Sequence, residues 1–259
     1  KVGESKYGCD AYLNKDYVES DFKIVTGFIE PHFFAGFSGG PKGIMPGIAG
    51  LETIQTFHNA KMIGDPRSTW GNLEDNPVQD MAREVNRMCK PDFMLNVALN
   101  KRKEITAAFA GEVFEAHKEG CAYVKEHAMF KCHQRFDVVI ASNSGYPLDQ
   151  NLYQTVKGMS AASKIVKEDG NIIMVSECAD GFPDHGKFAE IFKMADTPQG
   201  ILELIHNPNF KEMDQWQVQK QASIQTFANV YVYSELTDQQ LKDSMLNPCL
   251  LYTSPSPRD

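Results

Sequence analysis

The sequence has no cluster of basic residues. Its 26 Lys and Arg are outnumbered by 34 Asp and Glu, which gives a formal net charge of -8 at pH 7. A protein that binds nucleic acid generally neutralises phosphates with clustered Lys and Arg. The composition therefore argues against nucleic acid as a general partner.

Long apolar runs and paired cysteines are missing as well. No stretch reaches the roughly 20 apolar residues that cross a bilayer, and the first residues carry no signal-peptide pattern. The six cysteines are scattered, without a disulfide framework or a Cys-x-x-Cys pair. We therefore expect no membrane association, reduced thiols and a cytoplasmic location.

The two ends of the chain are unusual. Residue 1 is Lys, and Val2–Asp10 has no start-like character, so we expect the sequence to begin inside a longer protein. At the other end, Cys249–Asp259 reads CLLYTSPSPRD, which resembles the translation of a sequencing-library adapter. A disordered Ser/Pro tail is the alternative. Under either interpretation we assign no function to this segment.

What is present is typical of an α/β protein with two domains. With 259 residues, 42% hydrophobic and 23% charged, the chain has ordinary globular composition and can form two moderate cores. We predict a first domain over residues 1–130. Its expected elements are a strand ending Tyr17–Thr26, a helix in Gly50–Ile63, a helix from Pro77 to Lys90, strands at Asp92–Leu99 and Ile105–Gly111, and a helix over Glu112–Phe130.

A polar joint at Lys131–Arg135 precedes a second predicted domain, residues 136–248. A buried strand (Phe136–Ala141), a helix (Leu152–Val166) and another buried strand (Asn171–Ser176) form a βαβ pattern, which predicts parallel strands with a right-handed crossover. The further predicted elements are helices at Gly186–Met194, Thr197–His206, Asp214–Ala228 and Thr237–Met245, and a strand at Val230–Ser234.

The chain is organised around the Gly- and Pro-rich segment Gly27–Gly50, which reads GFIEPHFFAGFSGGPKGIMPGIAG. Gly and Pro disfavour a helix or a central strand, so we predict a shaped loop that builds a cofactor site. The segment carries His32 and Lys42 with no acidic residue between them, and His58 follows it. A phosphate-binding P-loop is not matched, because a proline precedes the lysine and a glycine follows it.

Other interpretations of these residues stay open on spacing alone. The glycines are compatible with an ordinary structural turn. His32 could pack at a loop edge, and His58 could be a core-facing helix residue. A second grouping lacks Cys-x-x-Cys spacing and is largely helical, so we do not assign it as a metal site. Its members are Cys121, His127, Cys132 and His133.

The sequence resembles the nickel-dependent lactate racemase family in two segments. The first is EPHFFAGFSGGPKGIMPG followed by FHNAKM, which includes the intervals from His32 to Lys42 and on to His58. The second is GYPLDQNLYQTVKGMSAASKIV, and the resemblance spans nearly all of Lys1–Asn247. It implies a racemase of 2-hydroxy acids, most directly lactate, with residues 1–130 as the C-terminal part of a cofactor-binding domain.

The resemblance also implies a cofactor, the nickel-pincer nucleotide, a pyridinium-3,5-bisthiocarboxylic acid mononucleotide that holds nickel through sulfur and carbon. Lys42 would attach it covalently, while Gly39 and Gly40 would shape its pocket. His58 would be the protein ligand of nickel, in keeping with the affinity of neutral imidazole for this metal. The enzymes that make the cofactor would be partners of the protein.

The same resemblance makes His32 one of two acid/base histidines. In the implied reaction a histidine takes the hydroxyl proton while the carbon-bound hydrogen moves as hydride to the cofactor, and its return to the opposite face inverts the centre. The second histidine, and the arginine and aspartate that help to hold the substrate, would lie upstream of residue 1. We therefore expect this chain alone to be inactive as a racemase.

In the second domain the resemblance implies contacts with the substrate. Gln154 and Lys157 are three positions apart on a predicted helix, so they share a face and can present an amide and an ammonium to a carboxylate. A solvated helix end is the alternative for these two residues. Tyr153 and Trp216 complete the predicted substrate-binding set.

Two other functions remain open at this point. One is a family racemase or epimerase for another 2-hydroxy acid, since the loop makes the cofactor site and not the specificity pocket. The other is a non-catalytic nucleotide- or metal-binding module.

Overall fold

The computed structural model describes residues 1–183 and 186–249. The chain forms two compact units, Lys1–Lys131 and Cys132–Asp259. Both units combine helices and strands, which confirms the predicted α/β class. Residues 250–259, which hold most of the predicted tail, and His185 lie outside the described residues. None of the described helices is long and apolar enough to cross a membrane.

The elements of the first unit are, in chain order, β1 (Gly3–Ser5), β2 (Cys9–Ala11), α1 (Lys15–Glu19), β3 (Ile24–Phe28), β4 (Pro31–His32), β5 (Gly36–Phe37), a 3-10 helix (Gly40–Gly43), α2 (Leu51–Phe57), α3 (Ala60–Gly64), α4 (Pro77–Met88), β6 (Phe93–Leu99), β7 (Ile105–Gly111) and α5 (Val113–Ala128). The elements β1, β2 and α1 are not predicted from the sequence, because elements this short show no recognisable periodicity.

Three strands of the first unit form its main sheet, in the order β3-β6-β7. The pair β3-β6 is parallel and the pair β6-β7 is antiparallel. Since successive side chains of a strand point to opposite faces, Val25, Met94 and Ala98 share the inner face. They pack into the core with Val113 and Val124 of α5. The inner face thus fixes β3 at the start of the Gly- and Pro-rich segment.

That segment, Gly27–Gly50, is richer in local structure than the predicted loop. After β3 ends, the hairpin β4-β5 pairs Pro31 with Phe37 and His32 with Gly36, and the 3-10 helix follows. All of these elements are short because Gly and Pro interrupt regular hydrogen bonding.

The single helix predicted over Gly50–Ile63 is wrong, because the chain forms two helices there. His58 ends α2 with a φ of -104°, outside the helical range. Asn59 then begins α3, since its side-chain oxygen accepts a hydrogen bond from the backbone N–H of Met62 at 2.9 Å. The break places His58 at a junction between helices instead of along one helix face.

The elements of the second unit are β8 (Phe136–Ser142), α6 (Leu152–Ala162), β9 (Val166–Val175), α7 (Phe188–Phe192), α8 (Pro198–His206), α9 (Gln215–Gln225), β10 (Asn229–Tyr233), α10 (Asp238–Asp243) and β11 (Asn247–Pro248). Its sheet has the order β11-β10-β9-β8, and every neighbouring pair is parallel. The parallel pair predicted from the βαβ pattern is therefore confirmed in β8-α6-β9, with α6 in contact with both strands.

Two sequence predictions in this unit are wrong in detail. The helix predicted to reach Val166 ends at Ala162, and Val166 instead begins β9. The strand at Phe136–Ala141 is not buried on both faces: Val139 is 8% exposed, but Val138 and Ile140 are 50% and 70% exposed. The apolar residues of this segment predicted burial, yet only alternate residues of β8 face the core.

Candidate active site of the first unit

Three residues predicted from the sequence surround one side chain, the buried ring of Phe34. Its centroid lies 4.4 Å from the ring centroid of His32 and 5.5 Å from that of His58. The Nζ of Lys42 lies 5.6 Å from the same Phe34 centroid. The fold therefore brings two imidazoles and a primary amine to a shared aromatic wall.

His58 is held as a neutral, oriented imidazole. Its side chain is buried, and its Nδ1 donates a hydrogen bond to the carbonyl oxygen of Ile54 at 3.0 Å. Burial lowers the pKa of His58 to about 3, and the nearby Lys42 ammonium acts in the same direction. With its proton on Nδ1, the ring carries its lone pair on Nε2. This is the tautomer and orientation that suit a metal ligand.

His32 has the opposite tautomer. Its Nδ1 accepts from the backbone N–H groups of Phe34 at 3.4 Å and Ala35 at 3.2 Å. The proton of the neutral ring is therefore on Nε2. The ring of His32 also stacks on Phe33, with centroids 4.9 Å apart. These contacts fix an imidazole whose Nε2 presents a proton.

Lys42 is carried by the 3-10 helix directly after Pro41. Its backbone N–H donates to the carbonyl oxygen of Gly39 at 3.1 Å, and the residue is half-buried. A half-buried stem limits the positions that the terminal amine can take. A primary amine placed in this way is the group through which a protein can tether a cofactor covalently.

Gly39 and Gly40 form the turn that leads into Lys42, and both need to be glycine. Their φ values are 75° and 49°, in the left-handed region that side chains disfavour. A Cβ on Gly39 would lie 2.6 Å from Oδ1 of Asn96, and one on Gly40 would lie 2.5 Å from Cγ of His117. The predicted pocket glycines therefore allow the turn to approach its supporting side chains.

Four fully buried amide side chains hold the backbone of this segment. Their hydrogen bonds are Asn76 Nδ2 to Phe34 O at 2.9 Å, Gln79 Nε2 to Phe37 O at 2.9 Å, Asn86 Nδ2 to Pro41 O at 2.8 Å, and Gly40 N to Asn96 Oδ1 at 2.7 Å. Because an unpaired buried polar group is costly, each bond stabilises the side-chain atom and the backbone group that it joins. The bonds fix the path of the chain from the hairpin to the lysine.

His117 of α5 supports the same turn from another side. It is 1% exposed, and its Nε2 donates to the carbonyl oxygen of Ser38 at 2.9 Å. The Sγ of Cys121 lies 3.3 Å from the same nitrogen. Burial lowers the pKa of His117 to about 4, so the ring is neutral near pH 7. His117 acts on the backbone that leads to Lys42.

In the second unit, two of the predicted substrate-binding residues contact each other. The Nε1 of Trp216 donates to the hydroxyl oxygen of Tyr153 at 2.9 Å. Burial raises the pKa of Tyr153 to about 12, so its hydroxyl is protonated at neutral pH. Trp216 is 9% exposed and the ring of Tyr153 packs edge-on against Phe188, with centroids 5.7 Å apart. The pair is a rigid aromatic corner between α6 and α9.

Gln154 and Lys157 lie near the start of α6, which Asn151 caps through a bond from the backbone N–H of Gln154 at 3.1 Å. Both residues are half-buried. Their substrate-binding role stays a prediction.

Sequence analysis missed the residues that organise the site of the first unit. Phe34 stood only as a letter of the quoted loop sequence, while Asn96 lies within the predicted strand Asp92–Leu99. A polar residue at an inward position of a strand is a usable signal, because such a side chain must find a partner. The members of the unassigned Cys/His grouping make other contacts: Cys121 lies beside His117, and Nδ1 of His127 donates to the carbonyl oxygen of Tyr123 at 2.8 Å.

Comparison with known proteins gives two family matches. Residues 1–71 match the lactate racemase N-terminal domain, and residues 132–249 match the lactate racemase C-terminal domain. The chain is 40% identical over 246 residues to a lactate racemase of Lactiplantibacillus plantarum, and 39% identical over 250 residues to one of Thermoanaerobacterium thermosaccharolyticum. Each alignment covers 95% of this chain and 58% of the relative.

Solved structures agree with these matches. The lactate racemase apoprotein from Thermoanaerobacterium thermosaccharolyticum superimposes with a TM-score of 0.91 at 39% identity, covering 95% of this chain and 60% of that one. A crystal structure of a protein from Thermotoga maritima shares the fold, with a TM-score of 0.72 at 19% identity, and covers 92% of this chain and 63% of its own. This chain therefore spans about three fifths of the length of these proteins.

Proposed function

Since this chain belongs to the lactate racemase family, we propose that it carries the cofactor-holding part of a racemase that interconverts the enantiomers of a 2-hydroxy acid. Both curated relatives are named lactate racemase, which supports lactate as the substrate. The observation that carries the proposal is the arrangement of His32, Lys42 and His58 around the ring of Phe34.

The residues present fit the nickel-pincer nucleotide. Lys42 offers a primary amine for covalent attachment, and the neutral ring of His58, oriented by its bond to Ile54, offers Nε2 to nickel. Among the described residues no group of three or more His, Cys, Asp or Glu could hold a metal ion, and a nucleotide that brings its own sulfur and carbon ligands needs only one from the protein. When bound, this group supplies a hydride acceptor for the substrate carbon.

In this proposal His32 handles the proton of the substrate hydroxyl. The backbone bonds to its Nδ1 leave the proton on Nε2, so the neutral ring donates a hydrogen bond from that nitrogen. This N–H can stabilise a substrate oxygen directly. If the hydrogen bonds to Nδ1 break and the proton of the ring moves to Nδ1, Nε2 can accept a proton from the substrate. Phe33 and Phe34 restrict the ring, so its position is set before substrate binds.

The second unit is proposed to recognise the substrate. Lys157 and Gln154, half-buried on α6, offer an ammonium and an amide to a carboxylate. The Tyr153–Trp216 pair offers an apolar wall whose polar atoms are already hydrogen-bonded to each other. Such a wall suits the small apolar substituent of lactate.

The test is to co-express the chain with the cofactor-making enzymes and to measure its mass, its nickel content and the mass of the Lys42 peptide. We expect a covalent adduct on Lys42 and about one nickel per chain. Lys42→Ala should remove both. His58→Ala should lower the nickel content about tenfold or more while the Lys42 adduct remains.

Lys61→Ala provides the matched control, since Lys61 is an exposed lysine on α3 outside the proposed site. It should leave the adduct and the nickel content unchanged. An unmodified Lys42 with no nickel under these conditions would overturn the assignment and favour a binding module without this cofactor.

A further inference from the structure

Asn143 is a buried asparagine at the carboxyl end of β8, in the second unit. It directly follows the last residue of that strand and is 8% exposed. In open α/β sheets with parallel strands, ligands bind outside the carboxyl ends of the strands. A buried amide in this place must find partners for both of its N–H groups and for its oxygen.

The side-chain amide of Asn143 finds all of these partners on backbone atoms. Its Oδ1 accepts a hydrogen bond from the backbone N–H of Gly158 at 3.0 Å. Its Nδ2 donates to the carbonyl oxygen of Gln154 at 3.0 Å and to that of Leu148. Because one partner is a donor and two are acceptors, the contacts fix which end of the amide is the nitrogen. A carboxylate of the same size has no donor, so this pattern requires asparagine.

Two of the partners are the two ends of one helical hydrogen bond. In an α-helix the N–H of each residue pairs with the carbonyl oxygen four residues earlier, and Gln154 and Gly158 stand in this relation within α6. Asn143 therefore bridges a single turn of α6 from outside the helix. A side chain that enters the hydrogen-bond ladder influences the local bend of a helix, and this one also ties the turn to the end of β8.

The bridged turn carries the two polar residues that are proposed to bind the substrate. Gln154 supplies the bridged carbonyl group, and the bridged N–H of Gly158 belongs to the peptide unit that follows Lys157. The direction in which a side chain leaves a helix is set by its backbone. Holding these two peptide units therefore sets the directions of both side chains.

Gly158 lets α6 come close enough to β8 for this bridge. A Cβ at position 158 would lie 2.5 Å from Cε of Met174, 3.1 Å from Oδ1 of Asn143 and 3.2 Å from the carbonyl oxygen of Ser142. Glycine inside a helix is less favourable than alanine. The close approach of the helix to the strand end explains why glycine occupies this position.

The backbone that follows Asn143 is held in an unfavourable conformation. Ser144 has a φ of 68° and Gly145 one of 74°, both in the left-handed region. A residue other than glycine is strained there, and such strain persists only where the surrounding contacts hold it. The bond from Asn143 to the Leu148 carbonyl closes this turn. Strained backbone of this kind clusters at active sites and at segments that clamp a ligand.

We infer that Asn143 is a positioning residue for substrate recognition, because it sets the turn of α6 from which Gln154 and Lys157 reach the substrate carboxylate. It acts through the backbone of α6 and is not a catalytic residue. The identity of the ligand rests on the proposed function. The bridge itself can be tested without ligand, cofactor or activity.

The first measurement is NMR of the unaltered, isotope-labelled and deuterated chain. Scalar couplings across hydrogen bonds should connect the amide nitrogen of Gly158 with Cγ of Asn143, and Nδ2 of Asn143 with the carbonyl carbon of Gln154. No substitution is involved, so the result does not depend on how a variant folds. A coupling of the Gly158 nitrogen to the Gln154 carbonyl carbon alone, as in an undisturbed helix, would overturn the bridge.

The second measurement is brief amine labelling of Asn143→Ala, followed by peptide mass spectrometry. The substitution lets the two backbone groups of α6 pair with each other and releases the turn from β8. Lys157 should then react about twofold or more faster, because its stem stays half-buried only while the turn is held. Lys211 is the internal reference, since it is exposed and lies outside α6.

Two comparisons separate positioning from general loosening of the unit. Lys220 is half-buried on α9, and its labelling should not change in Asn143→Ala. Ser163→Ala is the matched control, since it removes a bond of 2.8 Å to the Ser160 carbonyl oxygen at the other end of α6. It should leave the labelling of Lys157 unchanged. Equal labelling of Lys157 in the two variants, or equal gains at Lys157 and Lys220, would overturn the inference.

The proposed function is tested separately in the same samples. Lactate should protect Lys157 from labelling in the unaltered chain. In Asn143→Ala the concentration needed for half protection should rise about threefold or more, because a displaced ammonium loses a charge-assisted hydrogen bond. Absence of protection in the unaltered chain would overturn the substrate role of Lys157, while the couplings and the labelling without lactate decide the role of Asn143.

Discussion

The imidazole of His117 binds the carbonyl oxygen of Ser38, with Nε2 2.9 Å away. The same ring lies against Gly40, where a Cβ would come within 2.5 Å of its Cγ. One buried side chain of α5 thus sets both the path and the packing of the turn that precedes Lys42. We regard His117 as a positioning residue, since it acts on the lysine through the backbone.

Replacing His117 tests this support. His117→Leu leaves the Ser38 carbonyl without its donor, so we expect the free energy of unfolding to fall by about 1–3 kcal/mol. His117→Gln keeps a donor near the position of Nε2 and should recover part of the loss. Urea denaturation measures both variants.

A second readout separates positioning from bulk stability. Brief labelling of the folded chain with an amine reagent, followed by peptide mass spectrometry, should show altered reactivity of Lys42 in His117→Leu. Lys61 serves as the internal reference. Equal stability of His117→Leu and the unaltered chain, with equal Lys42 labelling, would contradict the assigned role.

The buried histidines also make stability depend on pH. The pKa of His117 falls from its ordinary value near 6.5 to about 4 on folding, so in acid the unfolded chain binds a proton that the folded chain does not. The contribution of the neutral histidine to the free energy of unfolding is therefore complete above pH 6.5. It is lost as the pH falls towards 4, by about 1.4 kcal/mol per pH unit for each such histidine. His58 contributes in the same direction.

The groups around His117 act on its charge in different ways. Arg83 and Lys42 disfavour the imidazolium, while the Ser38 carbonyl favours it. His117→Gln removes this one titration and leaves that of His58. Urea unfolding at several pH values between about 4 and 7 should then show a shallower slope than in the unaltered chain. Identical slopes would mean that His117 is not kept neutral by the fold.

Gly40→Ala probes the turn itself. The φ of 49° strains any side chain, and the added Cβ also meets the His117 ring, so we expect a loss above about 2 kcal/mol. Gly8→Ala is the matched control, since its φ is 87° but no atom lies within 4 Å of the new Cβ. It should show the backbone strain alone, about 1 kcal/mol. Equal losses in the two variants would show that packing against His117 costs nothing.

The residues proposed for the chemistry of the site could be named from the sequence, whereas the residues that support them could not. His32, Lys42 and His58 could be named because their types and intervals match a family loop. Phe34 could not, since an aromatic residue in a loop gives no sign of which partners it will meet. The buried amides such as Asn96 were also missed, because their partners are backbone groups far away in sequence.

Local sequence signals predicted the boundaries of some helices and strands and not of others. Asn76 and Pro77 are a recognisable helix start, and α4 begins there as predicted. Asn59 carries a similar capping signal, but the apolar spacing around it suggested one continuous helix. For β8 the run of apolar residues could not reveal which face lacks a covering layer, since that depends on what packs against the sheet.

The hydrogen bond between Trp216 and Tyr153 predicts energetic coupling in the second unit. Tyr153→Phe removes the acceptor of the indole N–H and Trp216→Phe removes the donor. A double-mutant cycle of unfolding free energies should give a coupling of about 0.5–1.5 kcal/mol. The pair Tyr231→Phe with Trp216→Phe is a control, since Tyr231 lies on β10 and should show additive effects. Additivity in the first pair would remove the argument for a rigid aromatic corner.

Racemase activity of this chain alone is expected to be undetectable, even when Lys42 carries the cofactor. Racemisation needs an acid/base group on each side of the substrate carbon, and the described first unit offers His32 for one side. His58 and His117 are buried and each binds a backbone carbonyl, so neither is suited to proton exchange with substrate.

The measurement is conversion of each lactate enantiomer by the loaded chain, followed by chiral chromatography. The lactate racemase of Lactiplantibacillus plantarum, produced with the same cofactor-making enzymes, is the positive control. Turnover of either enantiomer by the isolated chain would show that a second acid/base group lies within residues 1–259 and would require a new assignment of roles among its histidines.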